Sequence, residues 1–390
     1  MKIVQMRPMT LGYNQDAPRD CPFPPSQDLV GIQWTGGAAA YTKADTWYPS
    51  WSRSGVLYSP FTDGEVHGAG VSSSAAASHA QGRTEGFGAA RILGSDPLDL
   101  QIECVTLVDA PAAPWGGRYP SANLYLDGVW YVGTYCVNDR NRGHNYWDHL
   151  GPFTGFHVSH DNGASWVEPP TSPSHPLFDE GGVTGGPVRF GAPHFVDLGQ
   201  ELEYSPDGFA YLVGHGDGTG PNPASWVSGD AVYLARVKPT PEGINDPASW
   251  EFYSGGGLQG TPRWSRSLQD SEPILTWPGH LGNVSITYLP AHQRYVMCAT
   301  DGWPTIKKMD SYILEATTLE GPWKLVAHLE EFGPQGYFLN IPSKFATDDG
   351  QAWLVFSANY TNHLLGSGFE PDPTIARYAM CLAQFEFVTG

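Results

Sequence analysis

Basic residues are scarce in this chain. Its 390 residues hold 21 Lys and Arg against 40 Asp and Glu, a formal net charge of −19. Such a balance argues against nucleic acid and against anionic membranes as partners, although an acidic surface is also a plain solubility device. Long apolar runs are missing too, so no stretch reads as a bilayer-spanning helix. Met1–Arg7 lacks the apolar core of a signal peptide. The expectation is a cytoplasmic protein, or a secreted one whose signal has been removed. Cysteine is sparse, odd in number and scattered at Cys21, Cys104, Cys136, Cys298 and Cys381. That pattern excludes a disulfide or zinc framework and reads as small core residues. No long 3.6-residue apolar stripe occurs, which excludes a helical bundle.

What the chain has in quantity is turn residues and aromatics: 47 Gly, 34 Pro and 13% Phe, Trp and Tyr. They fall into a loose unit that occurs five times: an aromatic-rich run, a turn, and a second run. The units are Asp45–Trp51 with Val56–Ser59, Ser121–Leu126 with Val129–Gly133, Pro193–Leu198 with Phe209–Val213, Asn283–Tyr288 with Arg294–Met297, and Asn340–Phe345 with Ala352–Phe356. Each is a hairpin signal, and repetition on this scale means one supersecondary unit per copy. Outer hairpins follow at Gly155–Val167, Ala231–Phe252 and Tyr312–Val326, each with a Trp opening its last run. The fold expected is all-β, a single five-bladed β-propeller over residues 1–390. Its blades begin near residues 41, 118, 190, 280 and 337. Met1–Met6 or Leu29–Trp34, within an N-terminal segment 1–40, joins the last blade and closes the ring, which removes exposed sheet edges. The final blade ends in two runs, Tyr378–Leu382 and Gln384–Val388. The segment Ser159–Trp166 resembles the Asp-box of sialidase-like propellers, a structural turn rather than an active-site motif.

Propeller topology converts sequence position into place. Innermost strands start, and second strands end, on one face around the axis. The starts offer Asp45, Trp47 and Tyr48, then Arg118 and Tyr119, then His194, Asn283 and Asn340. The ends offer Asp63 and His67, Tyr135 and Asn138, His215 and Asp217, Asp301, and Asn359 with Tyr360. Carboxylates, imidazoles, amides and aromatic platforms converging on one concavity suit a carbohydrate, so the expected partner is a polysaccharide or oligosaccharide. Asp45 and Asp63 flank one hairpin and form the sharpest pair, as acid and base of a glycoside hydrolase; a strand cap and an ordinary turn are their plain alternative. The expected substrate contacts are Trp47, Tyr48, His67, Tyr119, His194, His215, Asn283, Asp301 and Asn340.

The segment Asp45–Trp51 through Val56–Gly64 resembles the first blade of the bacterial endo-D-arabinanase family of glycoside hydrolases, formerly a domain of unknown function and similar to other five-bladed furanosidase propellers. The resemblance implies catalytic aspartates at Asp45 and Asp63 and cleavage of furanosidic, arabinan-type linkages, with inversion as in most related propellers. Two other readings stay open. His194, Tyr119 and Arg118 form a kit for β-elimination by a polysaccharide lyase, and a lectin would need the platforms without the carboxylate pair. No cofactor is required; a structural cation on the axis would draw on His194, His215 and Asp217. Finally, Gly64–Gly88 has almost no apolar anchor. It reads as a loop over the active face, either floppy or a lid carrying His67, His79 or Arg83.

Overall fold

A computed structural model describes residues 16–137, 149–179, 187–218, 224–302, 309–330, 332, 336–358 and 378–390. Asn138, Asn359 and Tyr360, nominated above, lie outside the described residues, as does Met1–Met6. The strands form five sheets, the five blades of a β-propeller, antiparallel except where Ala69–Ser72 runs parallel to Thr84–Leu93 in blade 1. Blade 1 runs outward from Lys43–Asp45 and Ser50–Trp51 through Leu57–Val66 and Thr84–Leu93 to Gln101–Asp109. Blade 2 comprises Gly117–Leu126, Val129–Val137 and Leu150–Ser159, with Val167 bridged to Val158 at its edge. Blade 3 has Gly191–Phe195, Ala210–Gly216, Ala231–Val237 and Glu251–Tyr253; blade 4 has Gly282–Leu289, Arg294–Asp301, Asp310–Ala316 and Lys324–Leu329.

Blade 5 places Gly336–Asn340 innermost, then Gln351–Ala358 and Met380–Thr389, and its fourth strand is the N-terminal Leu29–Tyr41. The two apolar runs expected at the end of the chain are therefore one ten-residue strand. A second C-terminal strand is not needed because Leu29–Tyr41 pairs along it from Leu29↔Thr389 to Tyr41↔Met380. Among the described residues no helix is long and apolar enough to cross a membrane.

Blades are fastened to each other near the axis by side chains that satisfy backbone groups. Asn123 of blade 2 donates to Tyr48 O and Tyr58 O of blade 1, at 2.7 and 2.6 Å, while Asn340 of blade 5 donates to Trp47 O at 2.8 Å. Ser285 and Thr287 of blade 4 donate to Leu339 O and Ile341 O of blade 5. Outside these clamps, aromatic faces fill the wedges between blades, as where Phe156, Phe195 and Trp250 stack. The Ser159–Trp166 turn closes on itself: Ser165 donates to the Asp161 carboxylate, and the Trp166 indole donates to Gly163 O and packs edge-on against Trp130.

One feature recurs in every blade. The innermost strand slips register near its start, at Lys43/Asp45, Pro120/Asn123, Gly191/His194, Gly282/Ser285 and Tyr337/Asn340. In four blades a non-glycine residue with positive φ sits at or beside the slip: Thr46 (65°), Ala192 (41°), Asn283 (48°) and Phe338 (54°). A bulge re-aims the side chains that follow it, and left-handed backbone at such residues is held only where surrounding structure over-determines it.

Candidate active site

The two aspartates meet at the start of blade 1. Asp45 pairs opposite Thr62, one residue before Asp63. A simple alternation would turn Asp63 to the other side of the sheet. Its backbone instead takes φ +48°, and the next residue must be glycine, since a Cβ on Gly64 would lie 1.8 Å from Lys43 O. The bend leaves the second carboxylate near enough for its charge to act on the first.

Their surroundings differ. Asp45 is 5% exposed and accepts from Tyr337 Oη at 2.9 Å and Thr46 Oγ1 at 3.1 Å. Burial, and then the charge of Asp63, hold its carboxyl well above the ordinary carboxylate range. Asp63 accepts from Ser72 Oγ at 2.8 Å and the Ser73 amide at 3.0 Å, both through Oδ1. Burial raises it as well, but those two bonds and the nearby Arg83 guanidinium oppose the rise. Hydrogen bonds to a carboxylate favour its ionised form. Both carboxyls are raised, Asp45 further, so of the two Asp45 is the one better suited to keep a proton.

The serines that hold Asp63 belong to the segment expected to be a loop or lid. Gly64–Gly88 is neither. Ala69–Ser72 pairs with both Leu57–Val66 and Thr84–Leu93, and Ala75–Gln81 is a short helix capped by Ser74. Its apolar anchors are few but fully buried, at Val66, Val71 and Phe87, and hydrogen bonding does the rest. Ser73 Oγ donates to Gly86 O, and Ser73 O receives the Arg118 amide of blade 2.

Around the carboxylates stand Tyr135, Tyr337 and, behind them, Tyr48, Phe338 and Trp226. Burial and the charges of Asp45 and Asp63 push the phenols of Tyr135 and Tyr337 upward. Trp226 meets Tyr337 edge-on at 5.2 Å, and Tyr119 lies 5.9 Å from Tyr135. His194 stacks flat on Tyr48 with ring centroids 3.5 Å apart. Among the described residues, Tyr48 Oη, both ring nitrogens of His194, both polar atoms of the Asn283 side chain and Nδ1 of His215 are buried without a hydrogen-bond partner. Native interiors rarely leave such groups unpaired. Their concentration on the axis is what a ligand-binding floor requires.

Several nominated residues are placed elsewhere. His67 Nε2 lies 2.9 Å from Ile102 O, on the outer strand of blade 1. Trp47 is fully buried, stacked on Phe61, with its indole donating to Ala44 O. Asn340 is occupied as an interblade clamp. Asp301 pairs with His280 Nδ1 and accepts from Tyr312 Oη, within blade 4. Arg118 directs Nε to Thr134 Oγ1 along blade 2, so the His/Tyr/Arg kit is not assembled at the carboxylates. Of the residues named for a cation, His215 acts on His194, while other bonds occupy Asp217 and one His215 nitrogen. Asp217 accepts the Val188 and Ala224 amides, and His215 Nε2 lies 2.8 Å from Ser225 O. Among the described residues no three His, Cys, Asp or Glu side chains form a metal-binding group. The glycines around His215 serve packing, since a Cβ on Gly216 would lie 2.1 Å from Val188 O. Tyr337 was missed although its position, the strand start of blade 5, is the counterpart of Asp45 and Tyr119. Ser72 and Ser73 carried no signal of their own.

Residues 107–356 match the model of a family described as a domain of unknown function, DUF4185. The chain belongs to this family. The matched region begins in the last strand of blade 1, so it leaves out Asp45 and Asp63. No curated protein matches the chain in sequence. Similar solved structures include a family 117 glycoside hydrolase of Zobellia galactanivorans (12% identity, TM-score 0.48, covering 92% of this chain and 91% of that one). An α-L-arabinofuranosidase of Podospora anserina, solved with cellotriose, has 10% identity and a TM-score of 0.45 over 92% and 94%. A Dyadobacter fermentans protein of unknown function has 14% identity and a TM-score of 0.45 over 92% and 100%. Identity and superposition are too low to carry residue roles from any of them.

Proposed function

We propose that the protein is a glycoside hydrolase that cleaves furanosidic, arabinan-type or related linkages in a neutral polysaccharide. The observation that carries this reading is the unequal carboxylate pair, Asp45 and Asp63, beside aromatic rings and unpartnered polar groups. Two carboxyl groups whose environments push them apart supply an acid and a base. Asp45 is the acid: it gives its proton to the departing glycosidic oxygen as the C–O bond breaks. Asp63 is the base: it takes a proton from the water that attacks the anomeric carbon from the opposite side. The sugar product leaves with inverted configuration, and bulk water restores both protonation states. Tyr337 positions Asp45 through its hydroxyl, and Ser72 and Ser73 position Asp63.

Neutral sugar is preferred to a uronate for a specific reason. Burial holds His194 and His215 below the usual imidazole range, the latter at about 4, so neither supplies a cation at neutral pH. Arg118 is directed away, and a sugar carboxylate would meet two aspartates. These features disfavour the lyase reading. A panel of arabinans, arabinogalactan and uronate polysaccharides, with products resolved by size and anomeric form by NMR, tests the proposal. Reducing ends should appear from the furanosidic polymers with the inverted anomer first. Unsaturated uronate absorbance, or no cleavage of any neutral polymer, would overturn it.

A further inference from the structure

A second concavity lies at the other end of the ring. It has a volume of about 180 Å3 and is built from the turns between first and second strands of blades 3, 4 and 5, with Trp51 from blade 1. By topology this is the face opposite Asp45 and Asp63. Its size is below the roughly 300–1,000 Å3 of pockets for drug-sized ligands, so it admits a single ring rather than an oligomer.

The lining combines aromatic surface with carboxylates: Trp51, Tyr204, His292 and Phe387, with Asp348 and with Glu203, one oxygen of which accepts the Gln200 amide. Tyr204 is 40% exposed, yet its ring is fixed. It lies 5.5 Å from Tyr288, and it packs on Gly199, where a Cβ would fall 2.5 Å from its Cδ2. Gly199 has φ +83°, so the turn that seats the ring needs glycine. His292 sets its ring edge-on to Phe387 at 5.2 Å, and burial and Arg294 hold its imidazole low and neutral. Both carboxylates act on Tyr204, whose phenol is raised by burial and then by Glu203 and Asp348. Asp348 makes no ion pair among the described residues.

We propose that this concavity is a non-catalytic binding site for one neutral sugar residue of a polysaccharide, stacked on Tyr204 with its hydroxyls donating to Asp348 and Glu203. An aromatic face accepts the C–H face of a sugar, and carboxylates are the strongest acceptors for its hydroxyls. Two carboxylates beside a neutral imidazole disfavour an anionic ligand. The site rests on the hydrolase reading only for its role, which is to hold a polymer near the carboxylates by raising its effective concentration.

The test is affinity electrophoresis in gels containing arabinan, arabinogalactan or xylan. The full chain carrying Asp45→Asn is used so that no polymer is consumed. That chain should be retarded in at least one gel. Adding Tyr204→Ala should weaken the apparent affinity about tenfold, Asp348→Asn should weaken it less, and Tyr204→Phe should keep it. Asp348 is exposed, so its variant reports even if Tyr204→Ala folds poorly. Tyr204→Ala alone should hydrolyse a short chromogenic furanoside at the unaltered rate. Unchanged retardation in both Tyr204→Ala and Asp348→Asn, or no retardation of the parent in any gel, would overturn the site. Absence of hydrolysis would count against the catalytic reading and leave the gel result standing.

Discussion

The two ends of the propeller axis use the same kind of residue in opposite ways. At the far end Asp197 is half-buried with both carboxylate oxygens employed: the Ser343 amide and hydroxyl and the Gly199 amide donate to it at 2.7, 2.7 and 3.0 Å. Nearby, Asn123 and Asn340 are spent on backbone carbonyls. At the near end Asp45 has two hydroxyl partners, and Tyr48, His194 and Asn283 have unpartnered polar atoms. Buried polar groups cost little when paired and a great deal when not. Asp197 therefore fastens blades, while Asp45 and its neighbours hold unspent bonding capacity for a ligand. Function is read from where satisfaction stops.

That contrast can be broken by exchanging acids. Asp197→Ala strands three donors, so unfolding free energy should fall by about 2–4 kcal/mol, as chemical denaturation would report. Asn123→Ala frees two blade 1 carbonyls and the Trp130 indole and should cost about 1–3 kcal/mol. Asp45→Asn should do the reverse. A carboxyl raised by burial and a like charge destabilises the fold once ionised, so its removal should leave the melting temperature equal or higher at neutral pH, as where active sites trade stability for activity. A cost like that of Asp197→Ala would erase the distinction between the two ends.

Tyr337→Phe sharpens the catalytic side. It removes one donor to Asp45, worth about 1 kcal/mol, so turnover should fall several-fold to about tenfold with KM little altered. The alkaline limb of the pH–rate profile, set by Asp45 as the acid, should move upward while the melting temperature hardly does. An unchanged profile would separate Tyr337 from the reaction.

The smallest effect is on pH-dependent stability, and above about pH 6.5 its sign is set by groups raised on folding. His280 and His328 are lifted from 6.5 against the effect of burial, the first by Asp301 and Asp20 and the second by Asp310 and the Asp16 carbonyl. A raised group contributes stability below its unfolded pKa that is lost as pH climbs through the folded one, so the melting temperature should decline above about pH 6.5. At lower pH the raised Asp197 is opposed by His157, His194 and His215, which burial lowers and which gain stability as pH rises. His280→Gln should flatten the decline above about pH 6.5. A melting temperature that rises there would contradict this.

The five hairpins were legible because turn residues punctuate period-two aromatic runs, and both ends of that signal are local. Asp45 and Asp63 were legible because they flank one such hairpin. The rest was hidden for physical reasons. Gly64–Gly88 looks unanchored by apolar count, but its hold is two buried valines, the buried Phe87 and a serine network whose partners lie in other strands. Trp47 and Asn340 read as strand starts, yet the chain turns the Trp47 ring into the core of its own blade and the Asn340 side chain into a clamp between blades. Asp301 reads as a pocket acid until His280, distant in sequence, takes its carboxylate. Bulges depend on tertiary support rather than on residue type, so no composition rule announced them.

The central claim is that Asp45 and Asp63 are held for chemistry and not for the fold. Its most direct test measures arabinan hydrolysis and thermal melting on the same preparations of wild type, Asp45→Asn and Asp63→Asn. Turnover should drop by about 10²–10⁴-fold in each variant, with Asp45→Asn melting at or above the wild-type temperature and Asp63→Asn close to it. Wild-type turnover in either variant, or loss of turnover only where the fold is lost, would contradict the account.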